Sequence, residues 1–309
     1  MWDSAKKCVF VLAFFGLACL TGCNGARDTA LRMGESTKHT GFLHKTLVNE
    51  GRSRQYAVFI PHNYSPDKKW PAIVFLHGIG EAGSDVSGPL RVGLAPFVAD
   101  RADNFPFIVI FPQSTGGWDP NSDAARDAIA IIEKTKQEYS VDADRISLTG
   151  LSTGGYGTFA IGAKYSYEFA ALAPMCPSGG DTSDGPILAK MNIWAFENAV
   201  DPFVMPASMA STLSSIRSAG GNPQHTVYGA FGHDCWETAY GDGAIFEWLQ
   251  QQRRGGTAGS PPAGPSKTSA SPANPITPAK ASSSAAPVRP FPAAKPTWSN
   301  DQALVPSVY

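Results

Sequence analysis

The chain has almost no net charge: 25 Lys and Arg against 26 Asp and Glu leave −1 over 309 residues. That balance offers no electrostatic reason to bind nucleic acid or an acidic partner, and a small neutral substrate suits it better. Long apolar runs are missing too. The most apolar stretch, residues 9–20, is too short to span a bilayer as a mature helix. Internal repeats are absent, which excludes solenoid and propeller arrays. Cysteine is scarce, with five in all, and three of these lie in the first 23 residues.

What is present at the N-terminus has the form of a secretory signal. Lys6 and Lys7 precede the apolar run, and Leu20-Thr21-Gly22-Cys23 follows it. This tetrapeptide resembles the lipobox of bacterial lipoproteins, which implies a signal over 1–23, lipidation of Cys23 and a membrane anchor at the cell envelope. An ordinary signal peptide with an incidental cysteine is the alternative. Cys19 lacks a leucine three residues before it and is the poorer candidate. Cys8 and Cys19 would leave with the signal, so Cys176 and Cys235 remain as thiols. An oxidising compartment permits them to pair, and two buried free cysteines are equally compatible with the sequence.

Residues 24–40 read as a linker and 255–309 as a tail rich in Pro, Ala and Ser. The tail has too little apolar surface to offset its ordering entropy, so it is expected to be disordered. Its charges before Asp301 are positive (Lys267, Lys280, Arg289, Lys295), and Trp298 and Tyr309 lie near its end. Between them, 41–254 alternates short apolar runs with helical patterns. Strands are expected at 56–60, 72–76, 107–111, 146–149, 170–173, 193–196 and 226–228, several of them continuous apolar runs of the kind found in parallel strands covered on both faces. Helices are expected at 122–139, 156–165, 207–219 and 244–251. In the first of these Ala125, Ile129, Ile132 and Lys136 recur at helical spacing. Such alternation predicts a single α/β domain with a doubly wound, mostly parallel sheet.

The chemistry centres on Gly150-Leu151-Ser152-Thr153-Gly154, which follows the apolar run at 146–149 and precedes Gly155 and Gly157. A serine between glycines at a strand-to-helix turn has the pattern of a nucleophile elbow, at the strand end where open α/β sheets place their ligands. A serine hydroxyl needs a base within hydrogen-bond reach. His233 follows a predicted strand and the tight Gly229-Ala230-Phe231-Gly232, and it precedes the last helix. His39, His44, His62 and His225 lie outside turns of this kind. The imidazole in turn needs an acceptor. Asp201, in the loop after the strand at 193–196, fits the chain order Ser, acid, His. Asp181 and Asp184 fall in an earlier loop, and Glu197 sits too close to the strand end.

An oxyanion needs preorganised N–H donors. Thr153, after the nucleophile, is expected to supply one, and Ile79 of Leu76-His77-Gly78-Ile79-Gly80 the second, with Gly80 as the alternative. His77 is expected to contact substrate in the same cleft, and it is read as orienting this loop rather than acting as a base. Trp118 and Trp236 fall in loops expected on the rim, where they could stack on a sugar or an aryl acyl group; a structural aromatic is the other reading.

Four segments together resemble the α/β-hydrolase superfamily: Phe75-Leu76-His77-Gly78, Gly150 through Gly157, Asp201-Pro202-Phe203-Val204 and Gly232-His233-Asp234-Cys235-Trp236. Within it the chain is similar to bacterial secreted esterases of the poly(3-hydroxybutyrate) depolymerase-like and feruloyl-esterase-like group, also described as predicted peptidases of the prolyl oligopeptidase type. The resemblance implies an α/β-hydrolase fold and a serine carboxylic-ester hydrolase working through an acyl-enzyme, with no cofactor or metal. Its substrates would be small-molecule, polysaccharide or polyester esters. Ser152 would attack, His233 shuttle the proton and Asp201 orient His233. Two positions depart from the family: Thr153 stands where methionine is common, and Phe196-Glu197-Asn198 where a His-Gly pair is usual. A peptidase and a catalytically silent envelope scaffold are the competing functions.

Overall fold

The segment Trp-Pro-Ala-Ile-Val-Phe-Leu at Trp70–Leu76 forms a strand in which all seven residues are buried. A strand covered on both faces has no polar side to show, which is why its sequence does not alternate. The computed structural model describes residues 39–256, and these fall in one compact unit. The expected signal and Cys23, most of the linker and nearly all of the tail lie outside the described residues.

Eight strands form one sheet: β1 (Gly41–Asn49), β2 (Arg52–Ile60), β3 (Trp70–Leu76), β4 (Ile108–Pro112), β5 (Val141–Leu151), β6 (Ala171–Met175), β7 (Asn192–Val200) and β8 (Gln224–Phe231). Their spatial order is β1-β2-β4-β3-β5-β6-β7-β8. The pairs β1·β2 and β2·β4 are antiparallel and the others parallel. The α/β-hydrolase fold anticipated from the sequence is the fold observed. β1 is additional to the strands expected. It is an edge strand with mostly half-exposed residues, so no apolar run marks it. Its signal is the turn to β2, where Glu50 and Gly51 both have positive φ.

Among the described residues seven α-helices cover the two faces: α1 (Leu94–Asp100), α2 (Asp123–Glu138), α3 (Thr153–Lys164), α4 (Gly185–Leu188), α5 (Pro206–Ser218), α6 (Cys235–Gly241) and α7 (Ala244–Gln251). Residues of α2, α3, α4 and α5 join Val74, Leu76 and Leu148 in one core. Residues of α1, α6 and α7 join Ile73, Phe75 and Phe111 in the other. Alternate residues of β3 thus serve opposite cores, as a pleated strand requires. In α2 the buried stripe is Ala125, Ala128, Ile131, Ile132 and Thr135. This is rotated from the expected one, because Lys136 leaves the core to pair with Glu168 at 2.6 Å and Glu133 at 2.7 Å. No helix among the described residues is long and apolar enough to cross a membrane.

Candidate active site

β5 ends at Leu151 and α3 begins at Thr153, so the chain reverses at Ser152 alone. Ser152 takes φ 55° and ψ −115°, a region that non-glycine residues rarely adopt and that tertiary contacts must enforce. Its N–H is held by the Met175 carbonyl of β6 at 3.0 Å. The turn fits because its flanks carry no side chains. A Cβ on Gly154 would collide with the Leu76 and His77 carbonyls, and one on Gly150 would lie 2.5 Å from the Gly154 carbonyl oxygen. The elbow and the loop after β3 are therefore in direct backbone contact.

His233 lies in the turn between β8 and α6. Its Nδ1–H donates to Asp201 Oδ2 at 2.6 Å, and its Nε2 accepts from Ser152 Oγ at 2.8 Å. The Asp201 carboxylate is 1% exposed and is also held by the N–H groups of Phe203 at 2.8 Å and Val204 at 3.1 Å. A carboxylate fixed by two backbone donors leaves one oxygen free to set the imidazole tautomer. The structure thus brings together the three side chains that the sequence suggested. The rivals are engaged elsewhere: Glu197 accepts from His225 at 2.9 Å, and Asp181 caps a 3₁₀ turn through Ser183 N–H at 2.8 Å.

The loop after β3 folds into a 3₁₀ turn at Ile79–Glu81. The Glu81 carboxylate takes the Gly78 N–H at 3.0 Å, and the Glu81 and Ala82 N–H groups return to Gly78 and Ile79. Among the described residues, the N–H groups of Ile79 and Gly80 meet no acceptor. Gly78 lies close to Ser152: a Cβ on it would stand 3.6 Å from the serine Cβ. Ile79 and Gly80 thus follow directly on a residue that lies beside Ser152. Ile79 presents its side chain to solvent at 60% exposure.

Two expected substrate contacts are corrected. Trp118 is 1% exposed, so it has no face to offer a sugar or aryl group. Its Nε1–H donates to the His77 carbonyl at 2.9 Å, and its ring meets the His77 imidazole edge-on at 5.0 Å. His77 is also 1% exposed. Its Nδ1–H donates to the Gly78 carbonyl at 2.7 Å and its Nε2 accepts from Ser114 N–H at 3.0 Å. Burial pushes its pKa down, and the Gly78 carbonyl opposes that only in part. The buried ring organises the loop as expected and is out of a substrate's reach.

Trp236 stays beside the site, its ring edge-on to His233 at 5.6 Å. Three contributors were not anticipated. Phe203, in the acid loop, is 79% exposed with its ring 5.5 Å from that of His233. Asn198 donates to the Gly232 carbonyl, and Glu81 holds the Gly78 loop. Glu197 and Asn198 account for the departure at the end of β7: one pairs with His225 and the other secures the histidine turn. Cys176 and Cys235 are joined as a disulfide, with Cα atoms 6.3 Å apart.

No known family model matches the chain. A probable feruloyl esterase C of Aspergillus flavus is 24% identical over 68% of this chain and 76% of its own length. A bifunctional acetylxylan esterase/xylanase of Neocallimastix patriciarum is 28% identical over 40% of this chain and 18% of its own length. Among solved structures, a thermostable esterase superposes with a TM-score of 0.64 at 30% identity, covering 69% of this chain and 63% of its own. The chain thus spans less than two thirds of the length of the last two.

Proposed function

We propose that the chain, which has the α/β-hydrolase fold and is similar to esterases, is a serine carboxylic-ester hydrolase with Ser152, His233 and Asp201 as its triad. One observation carries this reading: the continuous hydrogen-bond chain from Ser152 Oγ through His233 to Asp201, at 2.8 and 2.6 Å. Ser152 Oγ attacks the ester carbonyl while His233 Nε2 takes its proton. Asp201 holds the Nδ1 tautomer and balances the imidazolium. The N–H groups of Thr153 and Ile79 face the developing oxyanion; losing one such donor typically costs about 100-fold to 1000-fold in turnover. His233 returns the proton to the departing alcohol, leaving Ser152 as an acyl ester. Water then repeats the sequence on that ester and releases the acid.

The substrates proposed are carbohydrate or aryl esters, or short polyesters. Phe203 and Trp236 beside His233 offer aromatic surface that suits an aryl or sugar group. With lipidation at Cys23, the enzyme would work at the cell envelope. The test is turnover of p-nitrophenyl acetate by the purified protein and its Ser152→Ala variant, followed by acetyl-xylan, methyl ferulate, hydroxybutyrate oligomers and peptides. Loss of at least about 1000-fold in Ser152→Ala is expected. Equal rates would remove the triad reading, and preference for a peptide amide would remove the esterase.

A further inference from the structure

The disulfide joins two arms of the site. Cys176 is the residue after β6, and Cys235 opens α6 two residues beyond His233. Both are buried. On one arm, Met175 holds the Ser152 N–H, and Cys176 N–H is held by the Phe196 carbonyl of β7 at 2.8 Å. That end of the bridge is thus built into the sheet beside the nucleophile.

The other arm runs through a short helix whose position depends on tertiary contacts. α6 has seven residues, too few for a helix to persist without tertiary contacts. Near its far end Tyr240 meets Thr149 of β5 at 2.9 Å. The turn before it, which carries His233, is held by Asn198, by the Gly232 N–H on the Val200 carbonyl at 3.0 Å, by Asp201 and by the sulfur bridge. The Cys176 sulfur, an Asp201 carboxylate oxygen and a His233 ring nitrogen all lie within 4.8 Å of one another. The bridge is therefore packed against the proton relay itself.

We infer that the Cys176–Cys235 bond is a positioning element for His233, keeping the imidazole in line between Asp201 and Ser152. The inference rests on the triad reading above. A general base works only within hydrogen-bond reach of its proton, and a shift of about 1 Å can cost on the order of 100-fold. The bond also keeps Cys176 from presenting a thiol to the Asp201–His233 pair. Because the buried bridge offers nothing to a substrate, its loss acts on kcat and leaves KM in place. Reduction by a dithiol transfers two electrons and two protons: the S–S bond breaks, two thiols form, and the reductant leaves as its own disulfide.

The experiment follows p-nitrophenyl acetate kinetics of the full chain in four forms: native, reduced with dithiothreitol, reoxidised after its removal, and carrying Cys176→Ala with Cys235→Ala. Near-ultraviolet circular dichroism reports the fold, and peptide mapping reports the bond. We expect kcat to fall at least about tenfold in the reduced and doubly substituted forms. KM should stay within about twofold of native, and kcat should recover on reoxidation. Should the double variant fail to fold, the reduced and reoxidised native chain decides. An unchanged kcat in fully reduced, folded protein overturns the inference. So does loss of the fold on reduction, or two free thiols in fully active protein. Ser152→Ala run alongside separates the failures: if it matches native, the triad reading falls and takes the bridge with it, whereas Ser152-dependent turnover indifferent to the bond removes the bridge alone.

Discussion

Asn198 at the end of β7 donates its side-chain amide to the Gly232 carbonyl at 3.0 Å and to Asp234 Oδ1 at 3.3 Å, gripping the residues on either side of His233. It is 1% exposed, so the grip is sheltered from water. Asn198→Ala leaves the Gly232 carbonyl unpaired, a cost of about 1–3 kcal/mol in stability. We expect kcat on p-nitrophenyl acetate to drop about tenfold with KM nearly constant. Asn198→Asp should do no better, since a carboxylate cannot donate and would face Asp234. Wild-type kcat in either variant would show that the clamp is dispensable.

Trp118 acts from beneath the loop after β3. Trp118→Ala should cost about 3–5 kcal/mol in urea unfolding, as a large buried aromatic does. Trp118→Phe fills most of the space but removes the donor to the His77 carbonyl, at about 1–3 kcal/mol. KM for methyl ferulate should not move in Trp118→Phe. A tenfold rise in that KM at native stability would return Trp118 to the substrate's side.

Phe203 is the opposite case, a large exposed aromatic next to His233. Phe203→Ala should leave p-nitrophenyl acetate kinetics near wild type and raise KM for methyl ferulate about 2- to 10-fold. That corresponds to the worth of about one aromatic contact. Parallel changes on both substrates would instead place its effect on His233.

His77 makes the fold sensitive to acid. Its folded pKa lies below the ordinary imidazole value, because burial disfavours the charged ring. The unfolded chain therefore binds the proton first as pH drops. The contribution is complete above about pH 6.5 and is lost progressively as pH falls below it toward the folded value. Urea midpoints at pH 7.5 and pH 5 should differ more for the native protein than for His77→Gln, which cannot take up the proton. Identical differences would remove His77 as the source.

The parts of the fold legible in the sequence were those with continuous apolar runs. β3 through β7 could be found because burial on both faces favours apolar runs there, and α2, α3, α5 and α7 because one face of each must match the sheet. β1 escaped, since an edge strand half open to water needs no such run. α6 and α1 escaped because seven residues carry too few turns to show a period. At the site, Ser152, His233 and Asp201 each sit in a local pattern of turn and strand end. Asn198 and Glu81 do not, because each acts through a single hydrogen bond to a loop whose course the sequence does not reveal.

The sequence by itself determined the order of the elements, the elbow and the identity of the side chains that could react, since these follow from local sterics and from which residue types can ionise or donate. Tertiary structure alone decided which of them meet. It drew Asp201 rather than Glu197 to His233, because Glu197 points across β7 to His225. It closed Cys176 on Cys235 across 59 residues. It also buried Trp118 and left Phe203 in the open, a difference no residue type encodes, because exposure depends on what the rest of the chain packs against each ring.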